Sequence, residues 1–118
     1  MAVRVYHCDD SGPFRLLIAE LLADVPGIEL VGQADAVEAT VAGVRRTHPD
    51  VVLLDLRGGD LGPGLVGRVR AVAPRAAIIV LSGWDGPIDE DEVAARLDKG
   101  ISADELVATI RRVAPVDE

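Results

Sequence analysis

The sequence predicts an α/β fold in three layers, a parallel sheet with helices on both faces. Short β-prone runs alternate with helix-periodic stretches from end to end. A strand-helix-strand-helix order at this spacing implies right-handed crossovers and parallel pairing. Val51-Val52-Leu53-Leu54 is a continuous apolar run, which suits a strand buried on both faces. At 118 residues the chain fits one domain, residues 1–118, and is long enough to bury a core without disulfide or metal staples.

The elements follow in order. Val3 to Cys8 is a β-prone run that stops at Asp9-Asp10. Phe14, Leu17, Ile18, Leu21, Leu22 and Val25 recur at three and four, the stripe of an amphipathic helix. Asp10 is a candidate cap for it near Pro13, and Pro26-Gly27 ends it. Ile28 to Ala34 reads as the second strand. Asp35 can cap a helix with Val37, Val41 and Val44 inside, which His48-Pro49 closes. After the third strand, a helix from about Leu61 to Ala73 is weakened by Gly62, Gly64 and Gly67, and Pro74 stops it. Ala76 to Leu81 is the fourth strand. Leu106, Val107, Ile110 and Val113 form the stripe of a last helix, capped by Ser102 with Glu105 three residues on.

Composition narrows the function. Twelve Arg and Lys against twenty Asp and Glu give a net charge of −8, a poor balance for binding nucleic acid directly. One cysteine, Cys8, excludes an intramolecular disulfide and fits a reducing compartment. No apolar run reaches the ~18–20 residues of a membrane span, and Met1-Ala2-Val3-Arg4 lacks a signal-peptide pattern. A cytoplasmic acidic domain is expected. Eleven of its cationic residues are arginine and one, Lys99, is lysine.

In parallel α/β sheets the working crevice lies beyond the carboxyl ends of the strands. The first strand delivers Asp9 and Asp10 there, the third Asp55 and the fourth Ser82. Two such charges about 4 Å apart repel by about 4 kcal/mol at an effective dielectric near 20. A hard divalent cation with oxygen ligands, Mg²⁺ above all, relieves this, and so does an ammonium. Any one of these aspartates could be a helix cap. Three of them, followed by a lone serine and a lone lysine, point to a site.

These residues resemble the receiver domain of bacterial two-component response regulators, most closely those with a LuxR-type output domain. The likeness covers nearly the whole chain. Val5-Tyr6-His7-Cys8-Asp9-Asp10 is similar to the family's first strand and acidic pair, and Arg15 stands where an arginine is frequent. Pro49 to Arg57 is similar to the segment around the phosphorylated aspartate, and Ile78 to Gly83 to the strand ending in Ser or Thr and a small residue. Lys99 to Leu106 looks like the segment that begins with the family's lysine.

The resemblance implies a flavodoxin-like sheet of five parallel strands in the order 2-1-3-4-5. It implies that Asp55 accepts a phosphoryl group from a sensor histidine kinase. Asp9, Asp10, Asp55 and the main-chain carbonyl of Arg57 would hold Mg²⁺. Ser82 and Lys99 would bind phosphoryl oxygens, and Gly83 would leave the group unobstructed. A point charge at the end of a long reach accounts for the solitary lysine. The expected role is phosphorelay signalling and transcription regulation, as a phosphoacceptor rather than a metabolic enzyme. A second copy of the chain is a candidate partner, and DNA would be reached only through an output domain absent from this sequence.

The sequence departs from the pattern in three places. Seventeen positions separate Ser82 from Lys99, several fewer than the family places there. Either Val93 to Asp98 is the fifth strand and the fourth helix is reduced, or Pro87 to Asp98 is that helix and the fifth strand is lost. The match from Lys99 onward favours the first, and the acidic run Asp89 to Glu92 suits the second as a helix amino terminus. Arg96 stands where an aromatic is usual three positions before the lysine, and Gly59 replaces the proline four residues after Asp55.

The remaining residues read blandly. His7 is expected as a satisfied core histidine, Cys8 as a small buried apolar residue, and Trp84 either as a loosely packed loop tryptophan or as a cover for the pocket or a partner surface. Gly58-Gly59 with Gly62 and Gly64 has no phosphate-loop spacing. Two rivals to the phosphoacceptor stand: a phosphorylation-independent module that dimerises through residues 83–99, and a hydrolase using the same carboxylates. The second lacks an acid or base near Asp55 in sequence.

Overall fold

The computed structural model describes residues 2–57, 61–62, 64–81 and 92–115. The chain runs β1 (Val3–Cys8), α1 (Gly12–Ala23), β2 (Ile28–Ala34), α2 (Val37–Thr47), β3 (Val51–Leu54), α3 (Gly64–Val72), β4 (Ala77–Leu81), β5 (Ala95–Leu97) and α4 (Ala103–Val113). The strands form one parallel sheet in the order β2-β1-β3-β4-β5. This is the flavodoxin-like arrangement expected.

Period-two alternation divides the strand side chains between two cores. Val52, Leu54, Ile78 and Val80 pack with Val41, Val44, Leu65, Val66 and Val69, so α2 and α3 cover one face. Val51, Leu53, Ile79 and Leu81 pack with Ile18, Leu22, Leu106 and Ile110, so α1 and α4 cover the other. The four residues of β3 are all buried, as the run Val51–Leu54 requires. In α1 only part of the apolar stripe is used: Ile18 and Leu22 are buried, whereas Leu17 is 52% exposed.

The caps differ from expectation in two helices. Ser11, not Asp10, caps α1, its Oγ accepting from the Phe14 N–H at 3.2 Å. Asp10 is thereby released to the crevice. Ala36, not Asp35, occupies the cap position of α2 and makes no side-chain bond. In α4 the expected cap forms, Ser102 Oγ accepting from the Glu105 N–H. His48 closes α2 in the left-handed region at φ 50°, a conformation that stops a helix before Pro49.

The competing assignments before Lys99 resolve for the described residues. Ala95–Leu97 is a strand pairing with Ile79–Leu81 of β4, so a helix reaching Asp98 is excluded. Ala and Arg are poor strand formers, but backbone pairing and the packing of Ala95 and Leu97 on the α1/α4 core override propensity. Residues 82–91, with Ser82, Gly83, Trp84 and most of the acidic run, lie outside the described residues, as does Gly59.

The β1–β2 ladder slips by one residue: Val5 pairs with Leu30 and Tyr6 with Gly32. Tyr6 then lies against two glycines. A Cβ on Gly32 would come within 2.6 Å of its ring, and one on Gly43 of α2 would overlap its hydroxyl. Tyr6 is buried. Gly43→Ala is therefore expected to cost about 1–3 kcal/mol of stability, although alanine is the better helix former by ~1 kcal/mol. Urea unfolding measures this, and adding Tyr6→Phe should recover part of the loss; a stabilised Gly43→Ala protein would refute the packing account.

Candidate functional site

The carboxyl ends of β1 and β3 are adjacent because those strands pair, Cys8 opposite Leu54. The residues that follow, Asp9-Asp10 and Asp55, are thus delivered to one crevice. Carboxylate oxygens from all three lie within 4.8 Å of one another. Asp9 and Asp55 are 0% and 2% exposed, while Asp10 faces solvent. Main-chain bonds hold the backbones in place: the Asp55 N–H donates to Cys8 O and the Asp9 N–H to Ala34 O.

Each buried carboxylate is held on both oxygens. Asp55 Oδ1 accepts from the Arg57 N–H at 2.9 Å and Oδ2 from Lys99 Nζ at 3.0 Å. Asp9 Oδ1 accepts from the Ser11 N–H at 2.8 Å. Its Oδ2 lies 2.8 Å from Lys99 Nζ, an ion pair without the alignment of a hydrogen bond. Arg15 Nη1 donates to the main-chain carbonyl of Asp9 at 2.7 Å. β5 places Lys99 here by ending two residues before it, and the ammonium also rests 4.6 Å from the centre of the Phe14 ring. Burial alone would lower the Lys99 pKa, but the polar contacts and negative charge of Asp9 and Asp55 together raise it above 10.5. The lysine is charged throughout the physiological range.

Asp9, Asp10, Asp55 and Lys99, expected together from their places in the sequence, lie in contact or near it. Arg57 contributes its N–H to Asp55. Ser82 lies outside the described residues. The donor set suits a hard divalent cation: three carboxylates offering oxygen ligands only, with Asp9 Oδ2 lacking an aligned donor among the described residues.

Two residues behind the site were not expected there. His7 is 1% exposed, and the β1–β2 register sets it opposite Gln33. Gln33 Nε2 donates to Arg15 O at 2.8 Å, which fixes the amide orientation, and its other proton meets His7 Nδ1 at 2.9 Å. Nδ1 is therefore an acceptor, and the imidazole proton sits on Nε2. That Nε2 has no hydrogen-bond partner among the described residues and lies 3.9 Å from Asp9 Oδ2. An unsatisfied buried donor costs about 1–3 kcal/mol; the expected core histidine is buried and satisfied at Nδ1, but among the described residues not at Nε2. Burial, then the Lys99 charge, lowers the His7 pKa to about 4, and the ring is neutral. Cys8 is buried as expected, with its thiol pushed up to about 11, first by burial.

No family model matches the chain. It is 34% identical over 113 residues to protein-glutamate methylesterase/protein-glutamine glutaminase 4 of Geobacter metallireducens, covering 96% of this chain and 31% of that protein. It is 31% identical over 122 residues to response regulator GacA of Pseudomonas aeruginosa, covering 94% of this chain and 55% of that one. The chain thus spans from about a third to about half the length of these relatives. Among solved structures, the response regulator domain of Thermotoga maritima CheB superposes with a TM-score of 0.84 at 24% identity, over 100% of both chains. With the strand order 2-1-3-4-5 and an acidic crevice at the ends of β1 and β3, the chain has the receiver-domain fold of two-component response regulators.

Proposed function

We propose that residues 1–118 are one receiver domain in which Asp55 accepts a phosphoryl group from the phosphohistidine of a sensor histidine kinase. The observation that carries this reading is Lys99 bridging the buried Asp9 and Asp55. A lone ammonium between two carboxylates is a cation that an incoming anionic group can recruit.

In the transfer, a carboxylate oxygen of Asp55 attacks phosphorus. The P–O bond of an acyl phosphate forms as the P–N bond breaks, and the histidine leaves with the electron pair and takes a proton from solvent. The Arg57 N–H orients the carboxylate through Oδ1. Lys99 pairs with one phosphoryl oxygen and Ser82 hydrogen-bonds another. Asp9, Asp10, Asp55 and the main-chain carbonyl of Arg57 would hold Mg²⁺, which when bound would supply positive charge to offset the carboxylate and phosphoryl charges. Most of the catalysis is positioning and electrostatics, as phosphoryl transfer requires.

The domain works in the cytoplasm as a phosphorelay switch of the LuxR-type subfamily, not as a metabolic enzyme. Transcription regulation is its output, with a second copy of the chain as a candidate partner and DNA contacted through an output domain. No helix among the described residues is long and apolar enough to cross a membrane. Incubation with acetyl phosphate and Mg²⁺, followed by intact mass measurement, tests the chemistry. One phosphoryl group is expected on the wild type and none on Asp55→Asn or in EDTA. An unmodified wild type, or an adduct that survives Asp55→Asn, overturns the reading.

A further inference from the structure

Behind the acidic crevice stands a polar chain that phosphoryl transfer as described above does not use. Arg15 O accepts from Gln33, Gln33 donates to His7 Nδ1, and the remaining ring nitrogen of His7, Nε2, lies beside Asp9 Oδ2. The gap of 3.9 Å is about 1 Å longer than an ordinary N–H···O bond. Lys99, at 2.8 Å, now occupies that oxygen. The imidazole cannot turn to another acceptor, because Gln33 holds its opposite nitrogen and Phe14 lies against it with ring centres 6.0 Å apart. Asp9, by contrast, has an aligned hydrogen bond only at Oδ1 among the described residues, from the Ser11 N–H, and its Oδ2 is held by the Lys99 ion pair alone. The mobile partner is the carboxylate.

On the phosphoacceptor reading, Lys99 must leave Asp9 for the phosphoryl group on Asp55. Asp9 Oδ2 then loses its cation. We propose that His7 is a positioning residue for Asp9: as Lys99 turns to the anion on Asp55, the His7 Nε2–H takes up Asp9 Oδ2 and keeps that carboxylate aimed at the divalent cation. Outer donors of this kind commonly fix ligating carboxylates. The unpartnered N–H is thus the resting state of a hydrogen bond that forms when the site is loaded.

The test uses Mg²⁺ with beryllofluoride as the phosphoryl mimic. In ¹⁵N-labelled wild type, the His7 ring should remain the Nε2–H tautomer, and its Nε2-bound proton should move downfield when both are added. Calorimetric titration of Mg²⁺ in the presence of beryllofluoride should show affinity about tenfold weaker in His7→Leu. His7→Gln, which can offer an N–H near the same place, should keep most of it. An unmoved proton, an Nδ1–H tautomer, or Leu and Gln variants that behave alike would overturn the proposal while leaving Asp55 as acceptor. A purely structural histidine would make both variants equally weak. Wild type that takes up neither Mg²⁺ nor beryllofluoride overturns the phosphoacceptor reading itself, and this proposal with it. Should His7→Leu fail to fold, the wild-type proton shift alone decides.

Discussion

Lys99→Met is expected to lower the stability of the metal-free protein by about 2–4 kcal/mol, and millimolar Mg²⁺ to return most of that loss. Removing one partner of a buried ion pair costs about 3–5 kcal/mol because the other charge is left uncompensated. Here two carboxylates are left, Asp9 and Asp55, both shut off from solvent. Lys99 itself is 30% exposed, which reduces the figure through solvent screening. A cation that binds only the folded state then stabilises by mass action. The gain from Mg²⁺ should be larger in the variant than in the wild type, where Lys99 already neutralises the crevice. Urea unfolding in EDTA and in MgCl₂ measures both. An equal deficit in the two conditions would mean that Lys99 matters only for packing. The pH dependence has a definite sign: the lysine's folded pKa is raised, so its contribution is complete below pH 10.5 and is lost as pH climbs through the folded value.

Acid should act through His7. Its folded pKa of about 4 lies below the ordinary 6.5. Between these values the unfolded chain takes up a proton that the folded imidazole refuses. Stability therefore falls as pH drops from 6.5 towards 4, by about 3 kcal/mol in all, and this contribution is flat below that. Carboxylates titrate in the same window, so the measured quantity is the difference between wild type and His7→Leu. The wild type should lose ground against the variant through that interval, and parallel curves would show that the imidazole protonates equally in both states.

Much of this was legible in the sequence where local pattern and tertiary demand coincide. Val51–Leu54 had to be a central strand, and Asp9, Asp10 and Asp55 stand at strand ends by simple counting. Other features were hidden by how they arise. Leu17 belongs to a helical stripe broader than the face α1 buries, so periodicity overstates its burial. Ser11 and Asp10 are both good caps, and only backbone geometry at the turn chooses between them. β5 has the composition of a helix and becomes a strand because β4 offers it bonds. The pairing of His7 with Gln33 spans 26 residues and depends on a register that no local signal reports.

That register carries a consequence for how the two halves of β1 are indexed. Counted straight on from Val5 and Leu30, Tyr6 would meet the isopropyl group of Val31, and His7 would meet glycine, which has no side-chain amide to offer. The one-residue offset works like a vernier. It lets the outer half of the ladder be set by the core and the inner half by the imidazole. A designer grafting Val3–Asp10 onto another sheet would carry the acidic pair across, yet would leave the ring free to choose its tautomer unless the neighbour's stagger came too.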